Sequence, residues 1–187
     1  MNSSNIRHSE RGSSRTVIII LISLGLIIVL GLLSYYLLAP HADRAVMMAN
    51  ESSAMSTVRN IGVNQVTYYT LFGEAGYAPD LASLGPGPSG KCDAGTTPAH
   101  ACVINAALGA SACTGSNWCT QGTYKFNVQG ICANGKCSDF VISATPVDAL
   151  HGSRNFCSTS DSAMRSENAA PKSAPFTIAA CQALPAM

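Results

Sequence analysis

Twenty-two consecutive residues, Val17 to Leu38, pass without a charge, and sixteen of them are Leu, Ile or Val. A helix rises ~1.5 Å per residue, so this run spans roughly 33 Å, close to the ~30 Å hydrocarbon core of a bilayer. A secretory signal core is shorter, about 7–15 residues, and ends at a small-x-small cleavage site. Here the exit reads "LLAPHADRA", with Pro40 and His41 where cleavage needs an extended strand. A retained single-pass anchor is the expected reading, with a cleaved signal as the competitor. Gly25 and Gly31 do not form the GxxxG spacing of a specific helix dimer.

Charge orients the segment. Residues 1–16 carry Arg7, Arg11 and Arg15 against Glu10, a net +2, whereas from Pro40 onward eight basic residues meet nine acidic ones, a net −1. Arginines before the span place the N-terminus in the cytoplasm and the remainder outside. The cysteines agree. All eight, Cys92, Cys102, Cys113, Cys119, Cys132, Cys137, Cys157 and Cys181, follow the span. An even count on one side of a membrane reads as four disulfides in an oxidising compartment. Zinc is the rival, but the tight Cys-x-x-Cys knuckle is missing. Sequence alone allows 105 connectivities for eight cysteines. The nearest-neighbour order, 92–102, 113–119, 132–137 and 157–181, is the one expected, with Cys132–Cys137 the firmest.

The domain division that follows is a cytoplasmic tail over 1–16, a transmembrane helix over 17–39 and an extracytoplasmic domain over 40–187. Within the last, a helix is expected over 40–72, a loop with a Cys-rich insertion over 73–121, and an antiparallel sheet with a C-terminal tail over 122–187. Pro40 either starts a new helix or sits as a kink in a continuous one. From His41 to Phe72 there is no proline and one glycine, Gly62. Met48, Met55, Val58, Val66, Tyr69 and Phe72 recur near helical spacing and form the expected core stripe, with Ser52 and Gly62 in its narrow places. Gly73, Gly76 and Pro79 stop the helix.

Further on, Tyr124, Phe126 and Val128 alternate with Lys125 and Asn127, and Phe140, Ile142 and Ala144 do the same. Strands over 124–131 and 138–145 should pair around Asn134-Gly135, a favoured hairpin turn. Cys132 and Cys137 then face each other at its mouth. A third strand is expected over 154–159, an edge strand from "AMRS", and a docking segment from "FTIAACQ". Residues 92–121 show little periodicity, with only "HACVINAALG" hinting at a helical turn.

The stretch "ANESSAMSTVRNIGVNQVTYYTLFGEAGYAPDLASLGPG", Ala49 to Gly87, resembles the helix and following loop of type IV pilins and their pseudopilin relatives. It has an Asn-Glu pair, an Arg-Asn-Ile segment, a tyrosine near the helix end and a "GYAPDLASLG" turn, with Pro40 ten residues before Asn50. "GTYKFNV", "DFVISATPVD" and "GSRNFCSTSDSAMRS" are similar to the sheet strands of that family. The resemblance implies an α+β, pilin-like fold: a long N-terminal helix, its first half transmembrane, packed on a small disulfide-stabilised antiparallel sheet. It implies a structural subunit of a type IV pilus-like or type II secretion pseudopilus-like assembly in a bacterial inner membrane. The ectodomain would be periplasmic or extracellular, with pilin-like homo- or hetero-oligomer partners. The family's peptidase signal has no counterpart. Gly12 is followed by Ser13 and Ser14, Ser23 stands where a glutamate is expected, and no carboxylate lies between Glu10 and Asp43. The alternative is therefore a non-polymerising, membrane-anchored interaction module on the same fold.

Catalytic chemistry is hard to place. Asp148, His151 and Ser153 are the residue types of a hydrolase triad, but they crowd within six positions and no G-x-S-x-G elbow occurs. His8, His41 and His100 make no metal spacing, and "GPGPSG" lacks the lysine and helix of a phosphate cradle. Trp118, the sole tryptophan, is expected to be buried. No basic patch with interleaved aromatics appears. The expectation is no enzyme, no cofactor, no metal, no nucleic acid and no small-molecule substrate.

Overall fold

The computed structural model describes residues 10–92 and 95–187, leaving aside the side chains of 10–15 and 38–42. Residues 1–9 of the expected basic tail, His8 among them, and the side chain of His41 lie outside this set, whereas the backbone at Pro40 is helical and starts no new helix. Helix α1 runs from Glu10 to Leu71. The chain divides into two compact units, one ending at Ala45 and the other covering Val46–Met187. In the first, Thr16–Leu37 is long and apolar enough to cross a membrane, with a mean hydropathy of 3.1 and none of it buried.

In the second unit the buried face of α1 is Glu51, Ala54, Val58, Ile61, Gln65 and Tyr68. These follow one another at intervals of three, four, three, four and three, one stripe of a helix. This corrects the expected stripe. Of its members, Val58 is fully buried and Met55 and Phe72 flank the core, while Met48, Val66 and Tyr69 are exposed. Ser52 is exposed as well, so it fills no narrow place. The reason is chemical: two polar residues, Glu51 and Gln65, occupy core positions. Gln65 spends its amide on the loop after the helix, donating to the Ala78 carbonyl (3.2 Å) and accepting from the Ala78 N–H (2.8 Å). In the turn beyond the helix end, Gly76, at φ +78°, presses on the Cys137 carbonyl so closely that a Cβ would collide with it.

Five antiparallel strands follow in the order β1-β2-β3-β4-β5: Cys119–Gln121, Tyr124–Ala133, Lys136–Pro146, Arg154–Thr159 and Arg165–Asn168. The β2–β3 hairpin turns at Asn134 and Gly135, both with positive φ, and brings Cys132 opposite Cys137. Tyr124, Phe126, Val128, Phe140, Ile142, Ala144 and Phe156 share one core cluster with the α1 stripe. Strand β4 has the expected limits, and β2 and β3 extend a little past theirs. Strand β5 starts two residues later than "AMRS". Strand β1 lies in the stretch expected to be irregular. It is three residues long, too short for periodicity to show, and pairs through Cys119 opposite Phe126.

The other face of the sheet is covered by the C-terminal tail. Ser143, Thr145 and Asn155 are fully buried, and their polar groups receive it. The Phe176 N–H donates to Ser143 Oγ (3.0 Å), and the Lys172 N–H donates to Thr145 Oγ1 (2.8 Å). Thr145 in turn donates to Asn155 Oδ1 (2.7 Å), whose amide donates to the Ala170 carbonyl (3.1 Å). The docking segment expected from "FTIAACQ" is a short helix: after α2 (Leu81–Leu84) comes α3 (Ile178–Gln182), capped by Thr177. Val141, Cys157, Phe176 and Cys181 form a second core cluster there. The last residues run along β5, with the Met187 N–H donating to the Met164 carbonyl (2.9 Å) and Ala186 bridged to Arg165.

The four disulfides, Cys92–Cys102, Cys113–Cys119, Cys132–Cys137 and Cys157–Cys181, follow the sequential order. Cys157–Cys181 ties α3 to β4. Converting both cysteines to serine is expected to cost about 2–4 kcal/mol, lowering Tm by roughly 5–15 °C. Thermal melting of the oxidised protein checks this; an unchanged Tm would mean that the polar contacts alone hold the tail.

Candidate functional site

The surface with the clearest chemical demand is the span Thr16–Leu37. Val17, Ile20, Leu24, Ile27 and Leu30 are all more than half exposed, as are the apolar side chains between them. Its two serines place no unsatisfied donor in an apolar surrounding, because Ser23 and Ser34 donate back to the Ile20 and Gly31 carbonyls (both 2.9 Å). Tyr35 and Tyr36 stand exposed at its end, the residue type that favours a membrane–water boundary. Gly25 and Gly31 have nothing within 4 Å of a built Cβ.

In the second unit, polar chemistry concentrates where α1 meets the start of β4. Glu51, 4% exposed, accepts at Oε1 from the Ser153 N–H and hydroxyl (both 2.9 Å). Its Oε2 accepts from Arg154 Nε (2.8 Å) and Nη2 (2.7 Å). Neighbouring Asn50 donates to the His151 carbonyl (3.0 Å). Burial opposes ionisation of Glu51, but the Ser153 N–H, Arg154 and the Ser153 hydroxyl together outweigh it and hold the carboxyl below its ordinary value. Tyr124, donating to the Arg154 carbonyl (3.0 Å), has its phenol pushed up by burial and by the nearby Glu51 charge. This is a clasp between the helix and the sheet.

The residues of the would-be triad are dispersed by it. Ser153 is spent on Glu51, while His151 Nδ1 sits 2.7 Å from Asp148 Oδ1 on an exposed turn. Trp118 is half-buried rather than buried, its indole donating to the Ser173 carbonyl (3.0 Å). It lashes the Cys-rich segment to the tail. That segment is ordered by backbone pairing as well as disulfides: Ala101 N–H donates to Ser83 O (2.8 Å), and Val103 N–H to Leu84 O (2.9 Å). The helical turn hinted at in "HACVINAALG" is a single turn, with the Gly109 N–H on the Asn105 carbonyl (2.8 Å). Among the described residues no group of three His, Cys, Asp or Glu side chains is placed to hold a metal.

Glu51 and Gln65 are the residues that sequence reasoning missed. The signal was present: both lie in phase with Ala54, Val58, Ile61 and Tyr68. Comparison with family models, curated proteins and solved structures gave no match.

Proposed function

We propose that this chain is a membrane-anchored structural subunit with a pilin-like fold, assembling with pilin-like partners into a type IV pilus-like or type II secretion pseudopilus-like filament. The observation that carries the reading is the uncovered Thr16–Leu37 face. So apolar a surface needs lipid around it, and on leaving lipid it needs other apolar helices. The resemblance of Ala49–Gly87 to the pilin helix and loop supports the same view. So do the antiparallel sheet behind that helix and the disulfides that suit an oxidising compartment. In this reading the arginine-bearing N-terminus stays in the cytoplasm of a bacterium, the span crosses its inner membrane, and Val46–Met187 is periplasmic or extracellular.

A second reading has a specific observation in its favour. Ser23 replaces the family's glutamate and no carboxylate lies between Glu10 and Asp43, which suits a non-polymerising anchored module. Two measurements decide between them. Polymerisation predicts recovery of the chain in sheared extracellular filaments, with a mass reduced by removal of residues ahead of the span. An intact N-terminus together with recovery in membranes alone would overturn the filament reading and leave the anchored module.

A further inference from the structure

Between α1 and the Cys-rich segment lies an open cleft of about 210 Å³. Its walls carry Asn60 and Asn64 from α1, Asn105 from the loop and Gln121 from β1, and Ile61 and Leu108 are buried beside them. None of the lining side chains is ionisable. Four carboxamides converging without a charge form an unusual surface, since each offers both a donor and an acceptor.

Their hydrogen-bonding capacity is largely unspent. Asn105 uses its carbonyl oxygen on the Ala107 and Leu108 N–H groups (3.1 and 3.2 Å), which fixes the side chain and leaves its NH₂ available. Asn60 and Asn64 have no partner among the described residues. The Gln121 Oε1 atom is shielded from solvent and accepts no hydrogen bond from them. The cleft is also preformed. Cys102 precedes its Val103 wall and is bonded to Cys92, while Cys119 precedes Gln121 on the same short strand and is bonded to Cys113. A wall held this way loses little freedom on binding.

We propose that this cleft binds a neutral carbohydrate, one hexopyranose unit deep. The ring hydroxyls each donate and accept, matching the carboxamides, and the C–H face has the half-buried Val103 and Ile104 to lie against. The volume is below the ~300–1,000 Å³ of pockets for drug-sized ligands, which suits a single ring. A charged sugar or a zwitterionic peptide would find no ionic partner. The site is independent of whether the chain polymerises.

The test is saturation-transfer NMR on the full chain in detergent, titrated with glucose, galactose, mannose and N-acetylglucosamine. Glucuronate and dialanine serve as charged comparisons. Saturable binding of at least one neutral sugar in the millimolar range is expected, with glucuronate and dialanine weaker. Asn64→Ala and Gln121→Ala should each weaken binding by about tenfold. Asn60 is exposed on the helix, so Asn60→Ala keeps the fold and should also weaken it, by about three- to tenfold. No saturable binding by any neutral sugar overturns the proposal. So does binding that Asn60→Ala and Asn64→Ala leave unchanged, or a preference for glucuronate or dialanine.

Discussion

Glu51→Ala should destabilise the second unit by about 3 kcal/mol or more, since breaking one side of a buried ion pair typically costs 3–5 kcal/mol. Three donors lose their acceptor at once: the Ser153 N–H, the Ser153 hydroxyl and the Arg154 guanidinium. Arg154 keeps some access to water, with its side chain 30% exposed, which puts the effect near the lower end of that range. Glu51→Gln keeps an oxygen for Ser153 but loses the charge facing Arg154, so its loss should be smaller. Denaturant unfolding of the purified chain at neutral pH reads both variants. Equal stability of Glu51→Ala and the parent would remove the clasp from the account of the fold.

The same carboxylate sets an acid limit. Its folded pKa lies below the ordinary value of 4.5. The stabilisation it brings is therefore complete above that value and is lost as pH falls through the lower, folded one. Asp161, held down by Arg165, pushes in the same direction from an exposed position. The parent should lose stability between about pH 4.5 and strongly acid conditions, and Glu51→Gln should lose less over that window. A parent and variant with parallel pH profiles would contradict the assignment.

The second large effect concerns the span. Sixteen Leu, Ile and Val residues at ~0.3–0.6 kcal/mol each favour insertion by roughly 5–10 kcal/mol. One arginine near the centre opposes this by ~2.5–3.5 kcal/mol, too little to prevent insertion. Two, in Leu24→Arg with Ile28→Arg, oppose it by about 5–7 kcal/mol and also remove two favourable residues. The single variants should remain in the membrane after alkaline carbonate extraction, and the double variant should be largely released. A double variant that resists extraction as firmly as the parent would mean that something other than this helix holds the chain in the membrane.

The parts of the fold that sequence made legible are those with a strong local signal. Asn134-Gly135 between two alternating runs announced the β2–β3 hairpin, and Cys132 and Cys137 fell opposite each other as a result. The phase of Tyr124, Phe126 and Val128 pointed to the core-facing side of the sheet. What stayed hidden depended on contacts distant in the chain. Glu51 reads as a surface carboxylate until Ser153 and Arg154, about a hundred positions later, are brought against it. Ser143 and Thr145 read as the wet side of a half-buried strand, because nothing local says that residues 172–176 will cover them. The carboxamide cleft was equally invisible, since Asn60, Asn64, Asn105 and Gln121 come from three separate elements.

The margins of the sheet bear on how copies of this chain can associate. On one side, β5 already has Ala186 and Met187 running along it. On the other, β1 is three residues long. Strand-to-strand growth requires a row of free backbone groups, and a margin this short offers a poor template. The architecture thus disfavours runaway stacking through its sheet, leaving association to helices and loops, whose side chains can discriminate one neighbour from another.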